Sequence, residues 1–129
     1  MNKIDLSIII PSYDEEESLP ILIKSIYEKL NQNDIIFEII IIDDGSTDKT
    51  WYEIEILSNK YSNIFPIKFI KNYGKSDALD AGFKISRGNY VLTMDADLQD
   101  DPDEIYKLYK LITEKDFDLV SGWKKKRND

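Results

Sequence analysis

Apolar and polar positions fall in blocks along the chain, and the blocks switch between two periods. Ile4–Ile10 is a short apolar run rich in β-branched residues, as a strand reads. Glu16–Leu30 follows, with Leu19, Leu22, Ile23, Ile26, Tyr27 and Leu30 at helical spacing. Ile35–Ile42 is almost continuously apolar, which suits a strand covered on both faces of a parallel sheet. Thr47–Asn59 is predicted helical, with Trp51, Ile54 and Leu57 on one stripe. Phe65–Ile70 reads as a third strand, weakened by Pro66. Ser76–Ser86 reads as a helix carrying Ala78, Leu79, Gly82 and Phe83, with Gly88 near its stop, and Asn89–Met94 as a fourth strand. Asp101 can cap a further helix, Pro102 suits its first turn and Glu104 completes a capping box. Ile105, Leu108, Tyr109 and Ile112 supply the buried face of that helix, and Phe117–Ser121 reads as a fifth strand.

Strict alternation of strand and helix predicts an α/β fold: a parallel sheet with right-handed crossovers and helices on both faces. A length of 129 residues suits one domain with one core. Ligands of open α/β sheets bind beyond the carboxyl ends of the strands, and the polar clusters fall there. Strand one leads into Pro11-Ser12-Tyr13-Asp14-Glu15, and strand two into Asp43-Asp44-Gly45-Ser46-Thr47-Asp48. Strand three leads into Asn72-Tyr73-Gly74-Lys75-Ser76, strand four into Asp95–Asp100 and strand five into Gly122-Trp123-Lys124. All five clusters are predicted to share one sheet edge.

Composition narrows the chemistry. The chain has no cysteine and no histidine, which removes disulfides, zinc–thiolate sites, the cysteine nucleophile and the usual general base. Catalysis is left to carboxylates, amides, Lys, Tyr, Ser and a bound ion. A formal net charge of −8 excludes nucleic acid as a bulk partner. The basic run Lys124-Lys125-Lys126-Arg127 reads either as a solvated tail or as a contact for phosphate or an anionic membrane surface. No apolar stretch approaches the roughly 20 residues of a membrane span, and Ile8-Ile9-Ile10 is too short for a signal sequence. The expected location is the cytoplasm.

The segment Asp95-Ala96-Asp97-Leu98-Gln99 follows the apolar run Tyr90–Met94 directly. On extended backbone, positions i and i+2 point to the same face. Two like charges about 4 Å apart repel by roughly 4 kcal/mol at an effective dielectric of 20. One carboxyl is protonated, water screens the pair, or a cation sits between them. All-oxygen ligands favour Mg²⁺ or Mn²⁺ in the third case. The other clusters also read two ways. Asp43-Asp44-Gly45-Ser46 is either a turn and helix cap or a hydrogen-bond acceptor for a base or ribose. Tyr13 is either core or a surface for stacking on a nucleobase, with Asp14 or Glu15 accepting polar hydrogens. Gly74-Lys75 either caps a helix or offers amides and a cation to an anion.

Together these residues resemble the family-2 glycosyltransferases of the GT-A fold. They are most similar to the branch of dolichol-phosphate mannose synthase and the bacterial polyprenyl-phosphate glycosyltransferases. The matching motifs are Ile8–Glu15, Ile42–Asp48, Asn72–Lys75 and Asp95–Asp100, in order and spacing, and the resemblance covers essentially all of residues 1–129. It implies a Rossmann-like, nucleotide-sugar-binding fold with a mostly parallel sheet. It also implies roles by position. Pro11, Tyr13 and Glu15 would line the nucleotide pocket, and Ile42 and Asp44 would hold base and ribose. Lys75 would be a further polar contact. Asp95 and Ala96 would contact the donor, and Asp95, Asp97 and Gln99 would hold Mg²⁺ or Mn²⁺, with Asp95 and Asp97 as the catalytic pair. Family members invert the anomeric centre by direct displacement, and a lipid-phosphate acceptor needs little general-base help.

The sequence departs from the family pattern twice. Lys124 stands where the family usually has Arg, which removes the bidentate fork from a phosphate contact. The chain ends at Asp129, so it is expected to be the N-terminal, donor-binding part of a longer catalytic domain, with membrane association carried by the missing C-terminal part. The leading expectation is therefore a metal-dependent inverting transferase that moves a sugar from a UDP- or GDP-sugar to a polyprenyl or dolichyl phosphate. Alternatives are a truncated, non-catalytic nucleotide binder and a family-2 transferase acting on a cell-surface glycan. A phospho-acceptor receiver domain fails on placement, because its acids follow strands one and three, whereas here they follow strands two and four.

Overall fold

The apolar run of the second strand is buried along its whole length, and the rest of the molecule is arranged around it. The computed structural model describes residues 3–97, 101, 103–115, 119–120 and 123–125. In chain order the elements are β1 (Leu6–Ser12), α1 (Ser18–Leu30), β2 (Phe37–Asp43), α2 (Thr50–Lys60) and β3 (Ile64–Lys68). They continue with α3 (Lys75–Ile85), β4 (Tyr90–Thr93), α4 (Asp103–Lys115), β5 (Leu119–Val120) and β6 (Trp123–Lys125). The strand order is β3-β2-β1-β4-β6-β5. β1 pairs in parallel with both β2 and β4, and β2 with β3.

Alternation along the strands divides the core. Leu6, Ile8, Ile10, Ile39, Ile41, Leu92 and Met94 face α1, α2 and α4, whose Leu22, Ile26, Ile54 and Ile112 pack on them. Ile9, Ile40, Ile42 and Val91 face the other way, onto Ala78, Leu79 and Phe83 of α3. Helices thus cover both faces, as the alternation predicts.

Near the amino ends of the strands, Glu38 is buried on the α3 face with its charge fully engaged. It accepts hydrogen bonds from the Ser7 hydroxyl at 2.6 Å, the Arg87 amide at 2.7 Å and Arg87 Nε at 3.1 Å. A buried carboxylate is tolerated only with such partners.

Two expectations are corrected. The predicted fifth strand, Phe117–Ser121, is described only at Leu119–Val120; residues 117, 118 and 121 lie outside the described residues. Of the cluster expected beyond it, Gly122 lies outside the described residues, and Trp123 and Lys124 are in a strand instead of a loop. Trp123–Lys125 forms β6, antiparallel to both β4 and β5, with Lys124 opposite Val91. Two residues between β5 and β6 suffice for an antiparallel return, whereas a parallel crossover needs about a dozen. Lys124 therefore sits inside the ladder. The second correction is the start of α2, at Thr50 instead of Thr47, because the amides before Thr50 are engaged by the loop after β1.

Candidate functional site

The loops after β1 and β2 are laced together. Asp14, at φ +53°, aims its carboxylate at the loop after β2. It accepts from the Thr47 amide at 2.7 Å, the Thr47 hydroxyl at 3.0 Å and the Asp48 amide at 3.3 Å. In return the Asp14 amide donates to Ser46 Oγ at 2.9 Å, and the Glu15 amide to Thr50 Oγ1 at 2.8 Å. Asp48 accepts from the Thr50 hydroxyl and amide and from the Glu16 amide. Desolvation works to raise the Asp48 carboxyl, but these hydrogen bonds outweigh it and hold the group below the usual carboxylate value.

The loop after β3 is pinned by Asp44. This buried carboxylate accepts from the Tyr73 amide at 2.7 Å, the Gly74 amide at 3.0 Å and Asn72 Nδ2 at 3.2 Å. A carboxylate offers about four acceptor sites, so Asp44 is mostly engaged by the protein itself. Gly45, at φ +72°, makes the approach possible. A Cβ there would lie 2.2 Å from the Lys71 carbonyl carbon, so only glycine fits under the passing chain. Gly74, at φ +108°, then turns the backbone into α3.

These loops and the one after β4 surround an open cavity of about 420 Å³ at the carboxyl ends of β1, β2 and β4. Its lining includes Pro11, Tyr13, Glu15, Asp44, Lys75, Asp95, Ala96 and Asp97, and also Ser12, Asn72 and Gly74. The volume suits a small-molecule site. Tyr13 is 44% exposed and offers a ring face at the rim. Lys75 Nζ reaches from the first residue of α3 to Asp95 Oδ1, 2.6 Å away. Among the described lining residues, four carboxylates (Glu15, Asp44, Asp95, Asp97) face one ammonium. Such a lining repels a bare anion and attracts cations.

The placement of the predicted residues is uneven. Eight of them share the cavity. Ile42 does not; its side chain is fully buried against α3, in the core. Ala96 touches the cavity but is 3% exposed and packs into the core under α1 and α4, so its backbone is what the cavity meets. Lys124 is in β6, and Gln99 lies outside the described residues. Sequence reading assigned no role to Ser12 or Asn72. The Asn-x-Gly spacing after strand three was the available signal for Asn72, whose amide braces Asp44.

The donor set fits a hard divalent ion. Asp95 and Asp97 supply carboxylate oxygens on one short segment, and the ammonium on Asp95 already stands in for a cation. No group of three or more acidic residues placed to hold a metal occurs among the described residues. One or two protein carboxylates, with water and substrate phosphate completing the shell, are the usual donors for Mg²⁺.

Comparison with known proteins bears on the family and the fold. Residues 7–129 match the family model of glycosyl transferase family 2. Over 130 aligned residues the chain is 38% identical to the undecaprenyl-phosphate 4-deoxy-4-formamido-L-arabinose transferase of Proteus mirabilis. The match covers 100% of this chain and 39% of that protein, so the chain spans about two fifths of its relative's length. The structure of S. aureus TarS 1-349 in complex with UDP is similar with a TM-score of 0.74, at 26% identity over 89% of this chain and 34% of that one. The mannosyltransferase PcManGT of Pyrobaculum calidifontis, solved with GDP-Man and Mn²⁺, has a TM-score of 0.74 over 87% of this chain and 33% of its own. At 23% identity that likeness speaks to the fold alone.

Proposed function

The chain belongs to glycosyl transferase family 2, and from that premise we propose that its cavity binds a UDP- or GDP-sugar together with Mg²⁺ or Mn²⁺. The observation that carries the reading is convergence. Loops after four different strands bring Tyr13, Asp44, Lys75, Asp95 and Asp97 to one cavity at the sheet edge where α/β ligands sit.

In this reading Tyr13 stacks on the base, and Asp44 holds the loop whose backbone lines the pocket. Its remaining acceptor site serves the nucleoside. Asp95 and Asp97, with Gln99 as the third expected holder, take the divalent ion. When bound, that ion supplies the positive charge that lets an anionic diphosphate enter an acidic cavity and leave as the sugar departs. Lys75 adds a donor to the same diphosphate. TarS, with its bound UDP, supports a uridine nucleotide as one donor type.

The proposal extends to the acceptor for the protein that carries this segment. The relative's name points to a polyprenyl phosphate. An acceptor phosphate oxygen would attack the sugar C1 while the bond from C1 to the diphosphate oxygen breaks, its electron pair staying on the leaving nucleotide. The nucleophile is already an anion, so a chain without histidine needs no base for this step.

Isothermal titration with UDP- and GDP-sugars, with and without Mn²⁺, tests the donor reading. Saturable binding that requires Mn²⁺ is expected; no metal-dependent binding to any of them would overturn it. Asp97→Ala should abolish the metal-dependent part with an unchanged circular-dichroism spectrum, and unaltered affinity in that variant would remove Asp97 from the site.

A further inference from the structure

The ion pair between Lys75 and Asp95 points beyond the assignment of the cavity. Lys75 opens α3, and its side chain crosses the cavity to a carboxylate 20 residues further along. Nζ lies 2.6 Å from Asp95 Oδ1, with the two side chains 61% and 41% exposed. An exposed pair of this kind shifts an equilibrium by no more than roughly fivefold, so a ligand can break it.

We propose that Lys75 is an internal counter-ion, held on Asp95 until a diphosphate arrives, which makes divalent-cation binding and nucleoside-diphosphate binding depend on each other. The inference rests on the reading of the cavity as a metal–nucleotide site and adds a coupling to it. An ammonium held on Asp95 cancels much of that carboxylate's charge, so a divalent ion is drawn there fully only when Lys75 moves away. With no anion present, a Lys75 displaced from Asp95 stays beside a second positive charge, which weakens the metal. A diphosphate changes the balance, because its oxygens accept from Nζ and Asp95 is released. Among the described lining residues no other cation can take that part. Thermodynamic linkage then requires nucleotide to tighten the metal by the same factor by which metal tightens the nucleotide.

The test is Mn²⁺ binding to the whole chain, read by electron paramagnetic resonance of free Mn²⁺, with and without UDP or GDP. Lys75→Met should bind Mn²⁺ alone roughly twofold to fivefold more tightly than the unaltered chain. The tightening by nucleotide should shrink by a similar factor. Lys75→Arg should restore both values toward those of the unaltered chain, and Lys75→Gln repeats the Met experiment with a polar side chain. In an Asp95→Asn background, Lys75→Met should tighten Mn²⁺ by a clearly smaller factor, because only the like-charge repulsion is left to remove. Unchanged or weaker Mn²⁺ binding by Lys75→Met overturns the counter-ion role while leaving the site reading intact, provided nucleotide still tightens Mn²⁺ in the unaltered chain. If neither nucleotide changes Mn²⁺ affinity in the unaltered chain, both fall.

Discussion

The two sides of the cavity use the same residue type in opposite ways. On the side built from the loops after β1, β2 and β3, the carboxylates of Asp14, Asp44 and Asp48 face backbone amides. On the side built from the loop after β4, the carboxylate of Asp95 faces a flexible ammonium in the open. The first arrangement is architecture: neutral donors fixed by the fold satisfy each charge, and the loops lose freedom. The second leaves the charge in place for an exchangeable partner. Counting acids in the sequence cannot separate these uses; what separates them is who donates.

Removing Asp44 is the strongest challenge to this contrast. Asp44→Ala leaves two amides and the Asn72 side chain without their acceptor, so urea denaturation should show a loss of about 2–4 kcal/mol. A loss under about 0.5 kcal/mol, the range for an ordinary surface change, would mean that the first side is not architectural. The next effect comes from pH. The folded Asp48 carboxyl lies below its unfolded value of 3.8, so the unfolded chain binds more protons near that pH. Its stabilisation is therefore complete above the unfolded value and disappears as pH falls through the folded one. The stability difference between the unaltered chain and Asp48→Asn should be present at neutral pH and shrink as denaturation curves are taken into the acid range below about pH 4. A difference that grows with acid would reverse the assignment. The smallest effect sharpens the other side. Asp95→Asn should weaken the exposed pair with Lys75, a change of no more than about 1 kcal/mol that shrinks at high salt.

Much of this was legible in the sequence. Period and length located the helices and the first four strands, since buried β-branched runs and amphipathic stripes leave a strong signal. Motif order located the loops that meet at the cavity. What the sequence could not show follows from physical causes. β2 is buried on both faces, so its apolar run carries no alternation to say which side a residue faces. The pocket role of Ile42 came from the resemblance alone, and the run itself could not say that its side chain points into the core. That Asp14 and Asp44 also brace the loops was not legible, because backbone donors leave no mark on side-chain identity. Thr47–Lys49 read as helix because the competing acceptor, Asp14, lies 33 residues away from Thr47. The turn-back of β6 was hidden for a different reason. Strands this short are defined by their neighbours more than by their own pattern.

The lacing between the loops after β1 and β2 has a bearing on how the molecule assembles. Its bonds span 32 to 35 residues, and they lie just past the pairing of Ser12 with Asp43 that ends the parallel ladder. The two loops can reach their shape only after β1 and β2 have met in that register. A slip of one residue would carry every donor past its acceptor while leaving the apolar runs still able to collapse. The cavity is thus a late product of folding and a gauge of its accuracy. Given the proposed nucleotide site, binding stoichiometry in a refolding mixture would count the molecules whose central strands are aligned, where a helical spectrum would count the misaligned ones too.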